Sequence, residues 1–240
     1  MTEHTVTSYD EELKSLAIKL TQMGGHAEKI LNDSIVALKT HDKDLAVRTI
    51  EADETIDVLE AEVEEQAVLM IAKRQPMAVD LREIVGAIKI SSDLERIGDL
   101  AKNIAKRAVA VQAEMDAQKS IVAIDHMSRL AAGQLKDVLD AYSQRDLAKA
   151  LDVWKRDSDI DAMYTSVFRE LLTYMMEDPR NITFSTHLLF AAKNIERIGD
   201  HATNIAETIN YLVTGEPLHD PRPKEDISSF TPSDYAQTDD

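Results

Sequence analysis

Glu95 and Asp99 lie four residues apart, and Asn103 four further on, in the run Glu95-Arg96-Ile97-Gly98-Asp99-Leu100-Ala101-Lys102-Asn103-Ile104-Ala105. On a helix that spacing stacks side chains along one stripe, so the run presents a ladder of oxygen ligands while Ile97, Ala101, Ile104 and Ala105 face elsewhere and can be buried. The run returns as Glu196-Arg197-Ile198-Gly199-Asp200, followed by Ala202, Asn204, Ile205 and Ala206, so the second ladder is Glu196, Asp200 and Asn204. Two carboxylates so placed repel by roughly 0.2–0.5 kcal/mol on an exposed helix. A bound cation is one way to offset that repulsion. The 44 acidic residues among 240 produce roughly eight such pairs by chance, so a lone pair means little. Two identical pairs in register within a repeat point to a shared geometric demand.

A pair on one helix binds a cation poorly, and each half supplies partners from the preceding segment. Asp53 and Asp57 stand in Asp-Glu-Thr-Ile-Asp, and Asp157 and Asp161 in Asp-Ser-Asp-Ile-Asp. Antiparallel neighbours would turn Asp53 and Asp57 toward Glu95 and Asp99, and Asp157 and Asp161 toward Glu196 and Asp200, giving one four-carboxylate patch per half. All-oxygen ligands suit divalent or iron-type metal ions such as Mg²⁺, Mn²⁺, Ca²⁺ or Fe, whereas zinc recruits His or Cys. Asn103, Asn204, Arg96 and Arg197 are the candidates for a surrounding layer of support. The plainer alternative is a set of solvated faces partly paired with Arg96, Arg197 or Lys102, each pair contributing little. No helix carries the Glu-x-x-His spacing of di-iron bundles; the match from Glu216 to His219 falls in a Pro-rich tail. No phosphate-binding Gly loop, nucleophile with a base or zinc-hydrolase helix is present either, and an enzyme is the minority reading.

The elements that must position these residues are helical throughout. Leu13, Leu16, Leu20, Met23, Ala27, Ile30, Leu31, Ile35 and Leu38 recur at three- and four-residue steps and predict a helix from about residue 8 to 39, loosened locally by Gly24-Gly25. Asp42 or Asp44 is a candidate cap for a second helix that runs to about Lys73 and ends before Pro76. Asp80 is a candidate cap for a third, through the first acidic ladder to about Met115. The plan repeats as helices from about 121 to 142, 147 to 177, with Trp154 and Tyr174-Met175-Met176 in the core, and 185 to 213, stopping near Gly215. Helices of about thirty residues are about 45 Å long, and short turns make them antiparallel neighbours. The expected architecture is therefore all-α: two tandem antiparallel three-helix bundles over 8–117 and 118–214, with an acidic, Pro-containing, disordered tail over 215–240. Gly98 and Gly199 inside the helices are best explained by the close approach of another group.

Composition sets the outer bounds. Lys and Arg number 27 against 44 Asp and Glu, for a net charge of −17, which repels a phosphate backbone and makes nucleic acid a poor partner. There is no Cys, so neither disulfides nor thiol chemistry is available. No uncharged apolar stretch approaches the ~20 residues of a membrane helix, and the N-terminus has no signal-peptide pattern. The reading is of a soluble, cytoplasmic protein.

The doubled Glu-Arg-Ile-Gly-Asp, the Asp-x-x-x-Asp motifs before each, and the segments Met70-Ile71-Ala72-Lys73-Arg74-Gln75-Pro76 and Leu172-Thr173-Tyr174-Met175-Met176-Glu177-Asp178 closely resemble the PhoU family, over about residues 8 to 213. The resemblance implies a cytoplasmic homodimer of two three-helix bundles that serves phosphate-specific transport and represses the phosphate-starvation response. The partners it implies are the phosphate-regulon sensor histidine kinase and the ATPase of the phosphate ABC transporter. It also implies that Glu95, Asp99, Glu196 and Asp200, with Asp53, Asp57, Asp157 and Asp161, can hold metal. Outside that family the alternatives are a carboxylate-rich metal-storage or metal-buffering protein and a plain helical scaffold.

Overall fold

A computed structural model describes residues 2–111 and 118–219, and among them every regular element is a helix. The order is α1 (Thr2–Thr40), α2 (Lys43–Ala52), α3 (Glu54–Arg74), α4 (Val79–Ala110), α5 (Gln118–Gln144), α6 (Leu147–Lys155), α7 (Asp157–Glu177), a 3₁₀ turn (Pro179–Asn181) and α8 (Ile182–Thr214).

Local chemistry fixes most boundaries. Asp42 caps α2 by accepting from the Leu45 N–H at 2.9 Å, and Asp146, its repeat-mate, caps α6 from the Lys149 N–H at 3.0 Å. Before each cap the chain turns through a left-handed residue, His41 at φ 53° and Arg145 at φ 54°. The Asp42 and Asp146 N–H groups then reach back to the carbonyls of Ala37 and Ala141, closing the ends of α1 and α5 in the same way. Gly215, at φ 83°, ends α8.

Several expectations need correction. Gly24 does not loosen α1, which stays helical throughout; it lies where a side chain would meet Leu139 of α5. Asp80 sits in the first turn of α4 rather than capping it, because the cap position falls on Ala78. Met176, expected in the core, is 85% exposed on the last turn of α7, whereas Trp154 is buried and donates to Glu207 at 3.1 Å. Residues 217 and 218 of the expected tail line a groove beside α4 and α8, and Asn210 holds the Glu216 carbonyl at 2.9 Å; residues 220–240, like Met115, lie outside the described residues.

Each expected middle helix is broken in two. Around Asp53 the ladder tightens to a bond from the Ile56 N–H to the Asp53 carbonyl at 2.8 Å, and at Arg156 the Asp159 N–H reaches the Arg156 carbonyl at 3.1 Å. Neither break has a Pro or Gly to announce it. At the second, Gln134 of α5 donates to the Arg156 carbonyl at 2.8 Å, a side chain inserting into the helix ladder.

The halves share one core rather than standing as separate beads. α4 packs against α1, α2 and α3 on its own side and against α8 on the other, while α8 packs against α5, α6 and α7. α4 and α8 run antiparallel: Gly86 lies by Leu212, Asp93 by His201 and Asn204, and Arg107 over the Phe190 ring at 4.6 Å. Asp93 accepts from Asn204 at 3.2 Å and contacts His201 Nδ1 at 2.9 Å, linking the two halves. Asp93→Ala leaves both donors without their acceptor in a half-buried seam and is expected to destabilise by about 1–3 kcal/mol, read as a lower midpoint in urea unfolding.

Candidate functional site

The two acidic ladders lie on α4 and α8, and the kinked helices α2–α3 and α6–α7 bring the second carboxylate pair of each half alongside. Gly98 makes the approach possible in the first half, since a Cβ there would stand 2.7 Å from Asp53 Oδ1 and 2.8 Å from Ile56 Cδ1. At Gly199 the same role belongs to Ile160, whose Cδ1 would be 2.8 Å away. The group that each glycine admits is thus an isoleucine, with the Asp53 carboxylate as well in the first half.

In the first patch Asp53 is 1% exposed. Lys102, one turn beyond Asp99, places Nζ 2.5 Å from Asp53 Oδ2 and 3.0 Å from Asp99 Oδ1 and so joins α4 to the kink. Burial pushes the Asp53 carboxyl above its ordinary range and Lys102 pulls it back, while the hydrogen bond to Asp53 holds the Lys102 ammonium above the usual lysine range. Asp53 Oδ1 is buried without a hydrogen-bond partner. Arg96 lies 3.5 Å from Glu95 and 3.9 Å from Asp99. Asp57 is exposed; its charge, with those of Glu64 and Asp99, adds to the burial that raises Glu60.

Burial, then the charge of Asp99, lift the Glu95 carboxyl from 4.5 to about 7 against the pull of Arg96. The folded chain therefore holds a proton between about pH 4.5 and 7 that the unfolded chain releases, and stability falls as pH rises across that window. Above it both states are ionised and the penalty is constant. Glu95→Gln is expected to stabilise the chelator-treated protein at pH 8 by about 1–2 kcal/mol, discounted for water at one edge of the carboxylate. At pH 5 the gain should have largely vanished; equal melting shifts at the two pH values would exclude this origin.

The second patch is drier. Asp157, Asp161 and Glu196 are all buried, and Asp200 is half-buried. Thr203, the repeat-mate of Lys102, donates to Asp157 Oδ1 at 3.1 Å. Lys193 reaches Glu196 Oε1 at 2.9 Å, leaving Oε2 buried without a hydrogen-bond partner. Burial raises the Glu196 carboxyl, Lys193 offsets it, and the charges of Asp200 and Asp161 raise it further.

Asn103 and Asn204 do not support these patches. Asn204 turns to Asp93 across the seam and Asn103 accepts from Lys106 at 3.4 Å, because residues eight apart on a helix are rotated by about 80° and the ladder drifts off its own stripe. Arg197 is exposed. Lys193, Thr203, Gln134 and Glu60 were not singled out from sequence. Lys193 was findable as an i,i+3 partner of Glu196 and Thr203 by aligning the repeat on Lys102, whereas Gln134 arrives from a different helix with no periodic signal.

Among the described residues no group of three or more His, Asp or Glu side chains converges as a set of metal ligands. The first patch does not fit a metal, since the Lys102 ammonium already lies between the carboxylates of the two helices. In the second, Lys193 occupies one oxygen of Glu196 and the orphaned Oε2 is the one atom that would welcome an ion. Nor is any described helix long and apolar enough to cross a membrane.

The PhoU domain model matches residues 20–108 and 124–209, once per repeat. A phosphate-specific transport system accessory protein PhoU homolog of Rhizobium meliloti is 55% identical over 226 residues, covering 94% of this chain and 95% of that protein. A homolog of the same name from Caulobacter vibrioides is 54% identical over 230 residues, covering 95% and 100%. Among solved structures, PhoU from Pseudomonas aeruginosa superposes with a TM-score of 0.84 at 40% identity, over 87% of this chain and 100% of that one. The phosphate transport system regulatory protein PhoU from Streptococcus pneumoniae gives 0.81 at 28% identity, over 88% and 99%.

Proposed function

Because the chain belongs to the PhoU domain family, we propose that it is the accessory protein of a phosphate-specific transport system and represses the phosphate-starvation response when phosphate is plentiful. It acts without catalysis, as a cytoplasmic homodimer, through contacts with the phosphate-sensing histidine kinase and the ATPase of the phosphate ABC transporter. The observation that carries this reading is the near full-length identity to proteins named as accessory to that transport system, with both motif repeats intact. The word regulatory in the name of the Streptococcus pneumoniae structure supports the regulatory half of it.

A regulator of this kind works by binding one state of its partner more tightly than another. The surface it offers is strongly acidic: Glu54, Asp57, Glu62, Glu64 and Glu65 are exposed along α3, and Asp99 reaches solvent beside them. Long-range attraction for a basic partner surface follows from that charge, along with sensitivity to salt.

The test is alkaline phosphatase activity in phosphate-replete cells of the source organism with and without the gene. High activity in the deletion, returned to low by complementation, is the expected result; low activity in both strains would overturn the regulatory reading. The metal-buffering alternative draws support from the buried, partnerless Glu196 Oε2 alone, and it predicts bound metal with phosphatase unchanged.

A further inference from the structure

The two patches occupy equivalent places in the repeat yet differ three residues beyond the ladder aspartate, with Lys102 in the first and Thr203 in the second. Lys102 is no loose surface lysine. Its side chain is 23% exposed, its Nζ is within 3.0 Å of carboxylates from two different elements, and one of those, Asp53, is almost wholly buried. Without Lys102, Asp53 has an orphaned Oδ1 and a second oxygen with no counter-charge, in a pocket that Gly98 keeps too tight to admit bulk. A buried carboxylate in that condition must protonate or recruit a cation. The residue types around it, all oxygen donors, would recruit a hard divalent ion.

We propose that Lys102 is a built-in counter-ion that takes the bridging position between Asp53 and Asp99, so that the first half of this protein is held together without bound metal. The consequence is an internal asymmetry: the two repeats of one chain meet the same electrostatic demand by different means, the first with its own ammonium two oxygens deep between the helices, the second with a threonine hydroxyl at that place and Lys193 approaching from the preceding turn. Metal dependence, if the chain has any, is thereby confined to the second half. The assignment concerns the first patch alone and stands whatever the protein regulates.

The second repeat itself supplies the test substitution. Lys102→Thr, in the full-length chelator-treated protein, is expected to melt about 5 °C below wild type, since removing one partner of a buried pair strands the other. Millimolar Mn²⁺ should restore most of that loss, with elemental analysis after desalting showing one equivalent of metal more than wild type. Lys102→Arg, which keeps the cation, should melt near wild type and gain no metal. Adding Asp53→Asn to Lys102→Thr should remove both the instability and the Mn²⁺ response. Asp53→Asn alone should leave the metal content of wild type unchanged, a measurement that decides the matter even if Lys102→Thr does not fold. Loss of metal from wild type on Asp53→Asn would overturn the proposal, as would a Lys102→Thr protein that is as stable as wild type in chelator or that gains no metal.

Discussion

Reversing Asp99 and Asp200 together to lysine is expected to raise phosphatase activity in phosphate-replete cells to the level of the gene deletion, while far-ultraviolet circular dichroism stays that of wild type. Each of these carboxylates is half-buried, so solvent still reaches it, while its backbone belongs to a long, well-packed helix. Reversal changes the local charge by two at each site, turning attraction for a basic partner into repulsion, and like charges juxtaposed across an interface cost several kcal/mol. The helices should survive, because their stability rests on buried Ile and Ala rather than on rim charges. Asp99→Asn with Asp200→Asn removes attraction without adding repulsion and should give an intermediate activity. Wild-type repression by the double lysine variant would mean that partners do not read the acidic faces.

The second large effect is structural. Ile56 and Ile160 are each buried and seat their Cδ1 atoms in the notches left by Gly98 and Gly199. Ile160→Ala empties that notch, and an unfilled buried isoleucine site costs about 2–5 kcal/mol, roughly 5–15 °C in melting temperature for a chain of this size. The converse substitution tests the geometry more sharply. Gly199→Ala gains up to ~1 kcal/mol of helix propensity but drives its Cβ into Ile160, an overpacking cost of about 1–3 kcal/mol. Ile160→Val removes the offending Cδ1, so the double variant should be more stable than the sum of the singles predicts. A coupling energy of zero in that cycle would show that the notch and the isoleucine do not depend on each other.

What could be read from the sequence was whatever repeats or has a period. The doubled Glu-Arg-Ile-Gly-Asp located both acidic ladders, the three- and four-residue spacing of Leu and Ile located the helices, and Asp42 and Gly215 were legible because caps have a fixed chemistry. The breaks at Asp53 and Arg156 were not, since no Pro or Gly marks them and the cause of the second is Gln134 on another helix. The reach of Asn204 failed for a related reason: spacing of four looks like a straight stripe over one step and is a spiral over two, and across the seam Asp93 was waiting. Lys102 was visible as a neighbouring cation, but only the packing of α3 on α4 shows that it donates to the buried Asp53 side chain.

The back-to-back pairing of α4 and α8 has a bearing on valency. Among the described residues α3 touches α1, α2 and α4 but not α8, and α7 touches α5, α6, α8 and the 3₁₀ turn but not α4. The first acidic patch, on α3 and α4, and the second, on α7 and α8, therefore lie on opposite flanks of the α4–α8 pair. One flat surface cannot cover both. Should each flank meet its own target, the chain acts as a divalent connector, and whichever flank engages first raises the effective concentration of the other flank's target.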